Sequence, residues 1–88
     1  MKIKKGFLLR EVGGTHVVVA VGKAAAEFRG VARLNETAAY LFKRLQSGAA
    51  RDELVNALLE CYEVDRATAD ADVQAALAQF APMLEDER

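Results

Sequence analysis

Few side chains in this 88-residue chain could do chemistry, because it holds one cysteine, Cys61, and one histidine, His16. One cysteine rules out an internal disulfide and any thiolate metal cluster, and one imidazole leaves an ordinary zinc site without ligands. Glu60 and Glu63 flank Cys61 and do nothing to favour a nucleophilic thiolate, so the cysteine reads as a buried structural residue. His16 falls inside a strand pattern and reads as a packing or half-exposed polar group. Asp70 and Asp72 are two apart, which puts them on different sides of a helix and separates them as an acid/base pair. Gly13-Gly14 is not a phosphate loop, since no Lys-Ser or Lys-Thr pair follows and no helix opens after it. These residues give no catalytic constellation, no metal site and no cofactor site. The remaining signal is Arg29 and Arg33 flanking Val31 on one face of a strand. At a sheet edge, that strand could pair its backbone with an extended peptide, with the arginines reading an acidic, partly apolar sequence. Equally, both arginines could guard the edge against aggregation.

The elements that must position this strand follow from periodicity. Phe7–Val12 and Thr15–Val21 read as strands, the second rich in β-branched residues. Gly13-Gly14 between them marks a primed hairpin turn. Residues 22–26 read as a loop whose alanines would tolerate a helical turn, and Glu27–Arg33 as a third strand. In that strand Phe28, Gly30 and Ala32 share one face. At Asn35 the period changes. Asn35 is a good N-cap, and Ala38, Leu41, Phe42 and Leu45 follow at helical spacing to about Gln46. A second helix runs from Arg51 to Tyr62 without a capping side chain at Ala49-Ala50. Asp65 caps a third, with Ala69, Val73, Ala76, Leu77 and Phe80 as its apolar stripe and Pro82 limiting its length. Residues 82–88 read as a frayed tail. A sheet built on a hairpin must cover its apolar face, and the helices provide the cover. The class is α+β, a three-stranded antiparallel sheet followed by a three-helix unit, in one domain.

Composition bounds the function. Apolar residues are 52% and charged residues 28%, as in an ordinary globular protein. No apolar run approaches the roughly 20 residues of a membrane-spanning helix, and no secretory signal follows the basic start, so a cytoplasmic location is expected. The net charge of −1 hides an asymmetry. Residues 1–34 carry seven basic groups against two acids, and residues 35–88 five basic groups against eleven acids. The first part would attract an acidic partner and the second repel one. Three strands with three helices also suit a winged-helix DNA binder, which needs a basic helix for the major groove. Here the third helix has Asp70, Asp72, Gln74 and Gln79 and no base after Arg66, so nucleic acid is disfavoured.

Several segments together resemble the PqqD family. They are Gly6–Gly14, Val17–Gly22, the Leu34-Asn35-Glu36-Thr37 element, Tyr62-Glu63-Val64-Asp65 and Ala71-Asp72-Val73, in that order. The likeness spans roughly residues 6–80. It implies a winged helix-turn-helix that serves as a recognition element for ribosomally made, post-translationally modified peptides. Such domains take a precursor's leader peptide as an added strand between the third strand and third helix. They present it to a modifying enzyme, commonly a radical S-adenosylmethionine protein. Carried onto this chain, the resemblance implies a groove of Phe28, Arg29, Gly30, Val31, Ala32 and Arg33, faced by Asp72, Val73, Ala76, Leu77 and Phe80. A homodimer through the edge strand or a swapped hairpin is a further alternative. The chain departs from the family where Phe80-Ala81-Pro82-Met83-Leu84 replaces a glycine and apolar residues, and where the second helix lacks a Thr or Ser cap.

Overall fold

A computed structural model describes residues 1–28 and 30–85. Strands β1 (Phe7–Val12) and β2 (Thr15–Ala20) pair antiparallel, with Val12 opposite Thr15 and Phe7 opposite Ala20. Gly13 and Gly14 have φ of 57° and 80°, the left-handed values that a primed turn demands at both central positions. Strand β3 (Val31–Leu34) pairs antiparallel with β2, His16 facing Leu34 and Val19 facing Val31. The sheet order is β1-β2-β3, which leaves β3 at an edge.

The segment before β3 differs from expectation. Residues Lys23–Glu27 form a short helix, α1, where a loop and the start of a strand were expected. Alanine is the best helix former, and Ala24 gains burial there at 7% exposure. The chain after α1 folds Phe28 back, so that its ring meets the Phe7 ring edge-on at 5.6 Å. Gly30, at φ 86°, then turns the chain into a strand of only four residues. Phe28 and Gly30 therefore lie outside β3.

Three longer helices follow; the first packs on the inner face of the sheet, and the other two pack against that helix and against each other. Helix α2 (Glu36–Ser47) opens on Asn35, whose Oδ1 accepts the Ala38 N–H at 2.7 Å. Helix α3 (Arg51–Cys61) starts without a capping side chain at Ala50, as expected, but the Glu53 carboxylate reaches back to accept the Ala50 N–H at 2.9 Å. Helix α4 (Arg66–Phe80) is capped by Asp65, which accepts the Thr68 N–H at 2.7 Å. The hydrogen bonds from Thr68 hold the Asp65 carboxyl below the usual carboxylate range. Arg51 ties α3 to α4 on the surface, donating to Asp70 Oδ1 at 3.0 Å and Gln74 Oε1 at 2.9 Å. Within the core, Phe42 and Phe80 meet edge-on at 5.5 Å, and Leu41, Leu45, Leu54, Leu58, Val18 and Val73 are fully buried around them.

The expected fraying after residue 81 gives way to a docked segment. Ala81–Met83 is a 3₁₀ turn with Met83 buried at 1% exposure, and Leu84 forms a bridge with Ile3. Lys4 N–H donates to Met83 O, and Glu85 N–H to Lys2 O, both at 2.8 Å. Burial of Met83 and Ile3 outweighs the cost of ordering these few residues. Residues 86–88, also expected to fray, lie outside the described residues. No helix among the described residues is long and apolar enough to cross a membrane.

Candidate functional site

Strand β3 presents backbone as well as side chains. By alternation Ala32 and Leu34 turn inward, half-buried and buried, while Val31 and Arg33 are exposed. The Arg33 carbonyl accepts a hydrogen bond from Gln79 Nε2 of α4 at 2.9 Å, so it points away from β2 and out of the sheet edge. In an antiparallel strand, residues two apart direct their backbone groups to the same side. The N–H and C=O of Val31 therefore share that edge.

Opposite the edge runs one face of α4. Asp72, Ala75, Ala76 and Gln79 line a cleft of about 120 Å³ together with Asn35, Thr37 and Ala38 at the start of α2. A smaller cavity of about 50 Å³ lies behind Asp72, among Thr37, Leu58, Tyr62 and Val64. Burial, and then the Glu36 carboxylate, holds the Tyr62 phenol above its ordinary pKa, so it remains a neutral wall. Small alanines on α4 leave room, and Asp72, Asn35 and Thr37 supply polar atoms. The arrangement suits an extended chain that pairs with β3 and sets a small or hydrogen-bonding side chain into the cleft.

The expected site residues divide clearly. Val31, Ala32 and Arg33 are on the edge strand, and Asp72 and Ala76 line the cleft. Val73 and Phe80 are at 0% exposure and belong to the core beneath it. Leu77 is half-buried against that core, and Phe28 packs on Phe7. Arg29 lies outside the described residues. Gln79, Ala75, Asn35 and Thr37 were not expected as lining. The signal for the α4 pair was present, since Asp72, Ala75 or Ala76, and Gln79 repeat at helical spacing.

Asp70 pairs with Arg51 outside the cleft while Asp72 lines it, so the two carboxylates are apart as expected. Cys61 is exposed rather than buried, and its thiol donates to the Tyr40 hydroxyl oxygen at 3.1 Å. Among the described residues no group of His, Cys, Asp and Glu side chains is placed to hold a metal ion.

The family model for coenzyme PQQ synthesis protein D (PqqD) matches residues 15–81, from β2 through α4. The chain belongs to the PqqD family. No curated protein sequence matches it. Among solved structures, TbiB1 in complex with the TbiA(beta) leader peptide is similar over 100% of this chain and 99% of that one, with a TM-score of 0.75 and 22% identity. A lasso peptide synthetase B1 complexed with its leader peptide covers 91% of this chain and 88% of that one, with a TM-score of 0.68 and 21% identity. These likenesses confirm the α+β fold, a three-stranded antiparallel sheet followed by helices. Within this PqqD-family chain, β3 and the cleft face of α4 both fall inside the matched span.

Proposed function

We propose that this PqqD-family chain is a non-catalytic peptide carrier. It binds the leader of a ribosomally made precursor peptide as a fourth strand on β3 and presents the peptide to a separate modifying enzyme. The outward edge of β3, which Gln79 ties to the cleft face of α4, carries this reading. Main-chain bonds to Val31 and Arg33 would give affinity largely independent of sequence, and the cleft around Asp72 would give selectivity. Two structural neighbours captured with leader peptides support it. The modifying enzyme is a radical S-adenosylmethionine protein or another peptide-modifying enzyme. A neighbour that is a lasso peptide synthetase component favours the broader class.

The DNA-binding alternative fits the surface less well. Past Arg66, α4 bears Asp70, Asp72 and Gln74, and Arg51 of α3 is already engaged by Asp70. An amide NMR titration of labelled protein decides between the two, using the precursor peptide encoded beside its gene and a random DNA duplex. Peptide carriage predicts shifts at residues 30–35 and 72–79 with the peptide, and none with the duplex at low salt. Duplex binding that weakens steeply with salt would replace the carrier with a nucleic-acid binder.

A further inference from the structure

The sheet has an outer face that neither the helices nor the β3 edge uses. Strand alternation and register place Leu8, Val17, Val19 and Val31 together on it. Val31 is 59% exposed, and Val12, beyond Arg10 on β1, is 65% exposed. Leu8, Val17 and Val19 are half-buried beside Val31, so the row is a partly exposed apolar face within a charged rim, a composition that suits an interaction surface. The rim has one sign: Arg10 and Arg33 stand at the two ends of the row through Val17, opposite it in the register on either side. Glu11 pairs with His16 and has the other parity, so no carboxylate from the strands falls on this face.

We propose that this face docks a second, different protein, whose matching surface is apolar at its centre and carries carboxylates at its margin. A copy of the same chain is a poor occupant, because two such faces would bring arginines against arginines with no acid between them. Nucleic acid is a poor occupant too, since the centre of the patch offers valines to phosphates. The partner is the enzyme that acts on the carried peptide, an assignment that rests on the carrier reading. A strand added beside β3 would extend this same face, and every second side chain of the peptide would emerge next to Val31. A protein seated there would hold carrier and peptide at once.

Calorimetry with the purified peptide-modifying enzyme encoded beside the gene tests the assignment, and leader affinity is measured separately. Val17→Lys puts a charge at the centre of the patch, and Arg10→Glu reverses one end of its rim. Each should weaken enzyme binding at least tenfold and leave leader affinity within about twofold, because neither residue lies on the β3 edge or in the cleft. Arg10 is exposed and serves as the decisive variant if Val17→Lys perturbs folding by circular dichroism. Undiminished enzyme binding by Arg10→Glu, or no enzyme binding by the unmodified protein, overturns the proposal. So does a dimer in light scattering that Val17→Lys dissolves, or a duplex that only the unmodified protein retains. Loss of leader binding by the unmodified protein would instead count against the carrier reading, and is read out independently.

Discussion

Gln79 sits where an added strand would have to begin or end. Its side-chain amide occupies the outward carbonyl of Arg33, doing from α4 what a peptide backbone would do from a neighbouring strand. The bond is exposed, and such bonds contribute about 0.5–1.5 kcal/mol net. Gln79→Ala should therefore free the carbonyl and tighten leader binding by roughly 2- to 10-fold, measured by calorimetry. Weakened binding would show that Gln79 itself contacts the peptide. The spacing of Gln79 from Asp72 made the shared helix face legible, but not its bond to Arg33. That its amide would reach Arg33 depends on how α4 lies against the sheet, which no local pattern encodes. Asp72 was legible as distinct from Asp70 for the opposite reason: a separation of two on a helix sets the directions apart whatever the tertiary packing.

At the scale of elements, local signals served well where one residue satisfies another nearby. Asn35 and Asp65 each accept an N–H three residues on, and both helix starts were readable from residue type alone. Helix α1 and the docked tail were not readable, because partners far along the chain decide them. Phe7 receives Phe28, and Ile3 receives Leu84. The Asp65 cap has a testable consequence. Its carboxyl titrates below the ordinary range in the folded chain, so its contribution to stability is fully present above the unfolded carboxylate pKa. That contribution is lost as pH falls through the lowered folded value. Asp65→Ala should lower the melting temperature at neutral pH, with a difference from the unmodified protein that closes in acid. Thermal unfolding followed by circular dichroism across pH measures it, and a difference that persists in strong acid would count against the cap.

For the whole molecule, the charge asymmetry of the sequence becomes spatial. Of the acids, Asp52, Glu53, Glu60, Asp70 and Asp72 sit on α3 and α4, while Arg10 and Arg33 sit on the sheet. The cleft therefore faces a peptide with Asp72, while the arginines mark the outer sheet face. The chemistry expected of Arg33 as a reader of acidic peptides fits a partner on that face better than the cleft. What unites the two surfaces is β3, whose backbone offers the edge and whose Val31 and Arg33 side chains belong to the face. The most direct test of strand addition is amide hydrogen exchange of the labelled protein with and without its leader peptide. Strand addition predicts slowed exchange at Val31 and Arg33 and unchanged exchange along β1. Tight leader binding with unaltered exchange at Val31 and Arg33, and protection elsewhere, would contradict it.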